Sequence, residues 1–215
     1  MAQLRSHISI SLDGFTAGPS PSLDDPLGAG GEQLHEWALA NAAWRAQHGR
    51  EGGEVNASTA VLERATENVG AYVMGRNMFG GGSGPWAEGA ERWDGWWGEE
   101  PPFHVPVFVL THHAREPLEL RGGTTFHFVT DGLEAALARA FEAADGKDVS
   151  VAGGAAAIRQ CLAAGVLDEL HLHVVPVLLG GGTRLLDGLA SGPFGLEPVE
   201  AIHAPGVTHL TYRKA

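Results

Sequence analysis

Three apolar runs in this chain end in residue types that hold anions. In VSVAGGAAAIRQCLAAG (149–165) a β-branched run stops at Gly153 and Gly154, and a helical pattern starts at once. Small residues there let a ligand approach the backbone, and the first N–H groups of a helix, which lack partners within it, point outward at that ligand. Such a turn suits phosphate. Paired glycines also occur wherever a strand and a helix pack closely, so on spacing alone the two readings stand level. The G-x-G-x-x-G spacing of the Rossmann fingerprint is absent. In MGRNMFGGG (74–82) a strand closing at Gly75 puts Arg76 at a strand end, where a guanidinium either grips a phosphate with two nitrogens or pairs with surface acids. A third run, VFVL (107–110), ends in Thr111, His112 and His113. Three donor-tipped strand ends are together more specific than any one.

Among titratable groups, Asp13 in SLDGF closes the first alternating run. With partial burial raising its pKa toward neutrality it would orient a substrate or supply a proton. The alternative is an Asp-Gly turn residue bonding its own backbone. His171 and His173 sit two apart on a strand and so face one side, as metal ligands might. No Cys lies near them, and a sheet face or dimer contact is expected and no metal site. Cys161 lies in an Ala-rich helical stretch and reads as a small buried residue, not a nucleophile. Trp86, Trp93, Trp96 and Trp97 either wall a flat heterocycle as a lid or anchor a long loop to the core.

The elements that must position these groups follow from periodicity. LRSHISISLDG is a first strand, and residues 17–31, rich in Gly, Pro and Ser, are a loop. Helical spacing runs from Gln33 to Gln47 and again from Ser58 to Asn68. AYVMG (71–75) is a buried strand, followed by RNMFGGGSGPW, too glycine-rich to continue any element. PVFVLTH and TTFHFVT are strands, and Leu133 to Ala144 is a helix with one apolar face. Strand DVSVAG, the 154–165 helix and strand DELHLHVVPVLLG form a strand-helix-strand unit that favours parallel pairing. The segments 199–203 and 207–212 close the chain as a hairpin around Pro205-Gly206. The outcome is an α/β fold in a single domain over residues 1–215.

Composition narrows the function classes. With 26 Asp+Glu against 14 Lys+Arg the net charge is −12, which repels a nucleic-acid backbone over most of the surface yet leaves room for a local anion site at a helix N-terminus. A lone cysteine, an N-terminus without a long apolar run and the lack of any ~20-residue apolar stretch point to a cytoplasmic protein with no membrane partner.

The order SLDGF, MGRNMF, PVFVLTHH and VAGGAAAIRQCLAAGVLDELHLHVVPVLLGGGTRLL resembles the riboflavin-biosynthesis reductase C-terminal domain family, a branch of the dihydrofolate-reductase-like fold. The resemblance covers nearly the whole chain, and its last block is the most specific. It implies a central, mostly parallel mixed sheet flanked by helices, a C-terminal antiparallel hairpin, a homodimer, a small-molecule substrate and NADPH as hydride donor. By position it assigns cofactor contacts to Gly75, Arg76, Asn77 and Met78, to Leu110, Thr111 and His112, and to Gly153, Gly154, Ala155, Ala156 and Ile158. His112 would stand near a 2′-phosphate. Asp13 would be the catalytic group, with Phe15, Trp86 and Gly181 beside it around the substrate.

The chain departs from the family at Met78, where a Thr hydroxyl is common. It also departs at Phe15 and Ala152, where the riboflavin enzymes carry a basic and an acidic residue. Both of the latter changes remove polar groups expected to hold a phosphoribosyl pyrimidine and imply a more apolar substrate. The expected function is an NADPH-dependent reductase of a small heterocyclic or carbonyl-type compound. The other reading is a dinucleotide-binding protein without efficient turnover, acting as a sensor or partner subunit.

Overall fold

The computed structural model describes residues 1–82, 84–87, 89, 92–189 and 195–215. Its centre is β3 (Val69–Gly75), whose residues are buried on both faces up to Gly75, the near-continuous apolar pattern of a strand covered on both sides. Parallel to it on one side runs β7 (Asp148–Gly153), then β1 (Leu4–Ser11), then β8 (Glu169–Val175). On the other side β4 (Pro106–Leu110) and β6 (Thr125–Val129) are also parallel. Antiparallel strands finish both edges. They are β11 (Val207–Lys214) with β10 (Leu196–Ala204) beyond β8, and the short β5 (Leu118–Glu119) beyond β6. The sheet order is β10-β11-β8-β1-β7-β3-β4-β6-β5. A separate pair joins β2 (Phe15–Ala17) to β9 (Thr183–Arg184).

Helices α5 (Leu133–Ala144) and α6 (Ala155–Ala163) cover one face, burying Leu4, Val73, Val149, Val151, Leu137 and Ile158 between them and the sheet. Their apolar stripes supply the burial that keeps helices of this length formed. On the other face α1 (Glu36–Leu39), α2 (Ala42–Gln47) and α3 (Ala57–Thr66) pack Leu34, Trp37 and Leu62 against Val175, Ala204 and Val207. Toward β4 and β6 that face is closed by aromatic side chains, including Phe79, Trp86, Trp93 and Trp97.

Close approach has a consequence at Gly70. A Cβ there would lie 2.5 Å from the carbonyl oxygen and 2.7 Å from the Cα of Ala144, so β3 and α5 touch backbone to backbone. Gly70→Ala must push α5 off the sheet, and overpacking of this kind costs about 1–3 kcal/mol. Urea unfolding would read that loss as a lower midpoint at unchanged slope.

The helix expected over Gln33 to Gln47 is in fact broken. A 3-10 turn, Gly31–Leu34, leads into α1, and α2 restarts after Asn41, a fully buried residue whose side chain accepts from the Ala43 N–H at 2.9 Å. The N-cap interrupts the helix because its amide also bonds Asn56 and Thr59. The second helix stops at Thr66. The glycine-rich segment after Gly75 is not all loop, because Arg76–Phe79 make one helical turn, α4.

Candidate functional site

Because β1, β7, β3, β4 and β6 run the same way, their C-terminal ends line one edge of the sheet, the edge where open α/β sheets collect ligands. Gly153 ends β7 and Gly75 ends β3 on neighbouring strands. A Cβ on Gly75 would stand 3.8 Å from the Gly154 nitrogen, so the two turns abut. Gly153 has φ +129°, a conformation L side chains rarely adopt, and a Cβ there would meet the Met78 sulfur at 3.1 Å. Gly154 faces open space. The peptide bond between them is cis.

α6 then begins with Gly154 as N-cap and no side-chain cap. Its first carbonyl acceptor is Gly154, bonded by the Ala157 N–H at 3.0 Å. Ala156 is exposed on the first turn, whereas Ala155 and Ala157 are buried. Ile158, expected to touch a cofactor, is instead fully buried between α6 and the sheet. It holds the helix in place and does not line the edge.

At the β3 turn, Arg76 is only 9% exposed because its guanidinium folds back on its own loop. Nε donates to the Gly82 carbonyl at 2.8 Å and Nη2 to the Gly81 carbonyl at 2.9 Å. Nη1 is buried without a partner among the described residues. Burial, and then the charge of Arg115, bring its pKa down to about 10, so it stays cationic at neutral pH. Asn77 is exposed and Met78 half-buried. At the β4 end, Leu110 packs into the core under α5, His112 is exposed, and the Thr111 hydroxyl accepts from the His113 N–H at 3.2 Å, folding its own turn.

Asp13 behaves differently from the expectation. Its carboxylate accepts from the Ser11 hydroxyl at 2.6 Å, from the Gly180 N–H at 2.8 Å and from the Leu179 N–H at 3.2 Å. The Ser11 bond above all, with the two amides, lowers its pKa to about 2. The supposition that burial lifts this pKa toward neutrality is therefore corrected, and with it the proton-donor role. The group is an ionised clamp joining the loops after β1 and β8. A pH–rate profile should accordingly show no limb between pH 4 and 8 that Asp13→Asn abolishes; such a limb would restore the acid role.

Near this clamp Phe15 is buried beneath the Arg184 guanidinium, which lies 4.5 Å from the ring centroid, and Gly181 borders Pro19. Trp86 is elsewhere. Its indole N–H donates to the His113 carbonyl at 2.8 Å, and its ring meets Phe79 and Phe128 edge-on. Two strands separate β1 from β4, about 14 Å at the usual strand spacing. The residues expected together around a substrate thus fall into two groups, with Asp13, Phe15 and Gly181 at one end and Trp86 at the other. The tryptophans anchor their loop to the core, since Trp93 likewise donates to the Phe79 carbonyl at 2.8 Å.

Two features went unsingled in the sequence. One is Arg115, which stands 5.0 Å from the Trp86 centroid and pairs with Asp94. The other is a cleft of about 210 Å³ between the sheet and α3, lined by Arg5, His7, His171, His209, Val61 and Arg64. It opens on the opposite face from α6 and away from the glycine turns. His171 and His173 do face one side there, and the His173 ring bonds His209 at 2.9 Å. Among the described residues no three His, Cys, Asp or Glu side chains are grouped to hold a metal ion.

The mostly parallel sheet with its helices, small second sheet and glycine turns defines an α/β protein of the dihydrofolate-reductase-like fold. The RibD C-terminal domain profile matches residues 2–203, and the chain belongs to that family. No curated protein matches it in sequence.

Among solved structures, a putative riboflavin biosynthesis protein from Shewanella sp. PV-4 is 23% identical over 100% of this chain and 99% of its own, with a TM-score of 0.62. A diaminohydroxyphosphoribosylaminopyrimidine deaminase/5-amino-6-(5-phosphoribosylamino)uracil reductase from Thermotoga maritima is 14% identical with a TM-score of 0.61, and all of this chain spans 57% of that one. Dihydrofolate reductase from Enterococcus faecalis, complexed with NADP(H), is 14% identical over 99% of this chain and 96% of its own, with a TM-score of 0.52. At these identities the likeness speaks for the fold. Among the described residues no helix is long and apolar enough to cross a membrane.

Proposed function

We propose that this protein is an NADPH-dependent reductase of a small heterocyclic or carbonyl-type compound. The observation that carries the reading is the abutment of the Gly75 and Gly153-Gly154 turns at the ends of adjacent parallel strands, with the uncapped start of α6 beside them. These groups fit a dinucleotide. Gly154 leaves open space at the backbone, α6 offers unpaired N–H groups and a partial positive charge, and Arg76 keeps a buried donor in Nη1. Gly75 to Met78 and Gly153 to Ala156 would hold the phosphates, and Thr111 and His112 the adenosine side. Bound NADPH would supply a hydride, while the protein supplies position and electrostatics.

The substrate would lie toward Asp13, Phe15 and Gly181. Asp13 holds the Leu179–Gly180 backbone in place there, and Phe15 and Ala152 carry no polar group of the kind a phosphoribosyl unit would need. The accompanying proton comes from solvent or from the substrate's surroundings, since Asp13 is ionised. That same absence of a proton donor at Asp13 favours the second reading, a dinucleotide-binding protein with little turnover. A homodimer and a cytoplasmic location complete the proposal.

Titration of the purified protein with NADPH, followed by cofactor fluorescence, tests both readings. No binding sinks them together. Binding with oxidation of NADPH by a pteridine, pyrimidine or quinone-like compound supports the reductase, and binding without oxidation across that set supports the second.

A further inference from the structure

Gly80, Gly81 and Gly82 follow α4 with φ of +88°, +75° and +77°. Consecutive glycines are costly to order because each gives up more conformational freedom than any other residue. Here the turn is enclosed by large side chains. Trp96 lies so close to Gly80, and Trp93 to Gly81, that a Cβ would come within 2.7 and 2.8 Å of those residues. Arg76 ties down the Gly81 and Gly82 carbonyls and lays its guanidinium 3.0 Å from the centroid of Trp86. Trp86 in turn is tethered to the loop after β4 through His113.

Arg115 joins these parts. It stands 5.0 Å from the Trp86 centroid, donates to the Trp93 carbonyl through Nη1 and pairs with Asp94 through Nη2. Its side chain is 10% exposed. Two guanidinium groups would repel one another across one indole; the Asp94 carboxylate and three backbone carbonyls offset that repulsion.

We infer that Arg115 is a positioning residue for the Gly75 turn, holding the Gly80–Gly82 backbone and Arg76 in register through Trp86 and Trp93 without itself touching a ligand. This rests on the reading that the Gly75 turn binds NADPH. With both Nη groups engaged, Arg115 has little to offer a ligand directly. Its contribution is to remove an ordering cost that would otherwise fall on binding.

The test compares wild type with Arg115→Met, which keeps an apolar stem, and Arg115→Lys, which keeps the charge. Hydrogen exchange at the Gly80 amide, which donates to the Arg76 carbonyl at 2.9 Å, read without cofactor, should quicken about tenfold in Arg115→Met, a shift worth ~1.4 kcal/mol of local opening. KM for NADPH should rise by a similar factor, with kcat at saturating NADPH within about twofold. Arg115→Lys should recover part of both. Unchanged exchange at the Gly80 amide overturns the inference, as does a fall in kcat at constant KM. Should wild type bind no NADPH, the cofactor reading falls, while the exchange arm still decides whether Arg115 holds the turn.

Discussion

Ala156→Asp should weaken NADPH binding by at least about 30-fold while leaving thermal stability equal or slightly raised. Ala156 is exposed on the first turn of α6, beside an N-terminus without a side-chain cap. For the free protein a carboxylate there meets the positive end of the helix, a gain of about 0.3–1 kcal/mol. For a bound dinucleotide the same carboxylate faces the phosphates. Even at the high effective dielectric of a protein surface, like charges 4–5 Å apart repel by about 2–4 kcal/mol, or roughly 30- to 1000-fold in Kd. The two effects have opposite signs, so a general loss of structure cannot imitate the result. Ala156→Asn, of the same shape without the charge, should bind nearly as wild type. Equal losses in both variants would assign the effect to bulk, and no loss in either would remove the phosphates from this helix.

Lowering the pH from 7 to 5 should cost about 2 kcal/mol or more of folding stability through the histidine face of the sheet. His7, His171, His173 and His209 face α1–α3, with His7 stacked on His171 at 4.0 Å and Trp37 against His173. Burial lowers all four pKa values, His173 to about 3 and His209 to about 4, with neighbouring charge adding to the shift except at His171, where Glu169 opposes it. A histidine depressed in the folded state binds its proton only in the unfolded chain. Its stabilisation is complete above pH 6.5 and falls as pH drops below that value, down to the folded pKa.

For His173 the slope is about 1.4 kcal/mol per pH unit across this window. Arg5 and Arg64 at the cleft oppose protonation, while Glu169 favours it at His171 alone. The carboxylates with lowered pKa values, Asp13, Asp94 and Glu169, act in the same direction but only in more acid solution. Urea unfolding at pH 7, 6 and 5 isolates the histidines, and His173→Gln should flatten the dependence. A stability constant across that range would contradict the account.

The parts of this fold legible in the sequence are those set by local pattern. AYVMG, PVFVLTH and DVSVAG announce strands by their apolar runs, and the Pro205-Gly206 turn announces the hairpin. What escaped depends on partners distant in the chain. Asp13 reads equally as an acid or a turn residue until Leu179 and Gly180, 166 and 167 residues away, are seen donating to it. β2 and β9 are three and two residues long, too short for any period, and exist because the Asp13 clamp brings their loops together.

Asn41 splits a helix whose spacing through Leu34, Trp37 and Trp44 looked continuous; its signal was a good N-cap residue ahead of Ala42. The glycine turns were visible as an ambiguity, packing or ligand, and their abutment, with Met78 over Gly153, shows the packing directly. Trp86 showed its aromatic character but not which end of the sheet edge it occupies, because that depends on strand order.

Hydrogen exchange of the whole protein with and without NADPH tests the central claim most directly. The account predicts slower exchange at residues 75–79 and at 153–158 on adding NADPH, with residues 5–9, 171 and 209 unaffected. Protection confined to the histidine-lined cleft, or none at the two glycine turns under saturating NADPH, would contradict it.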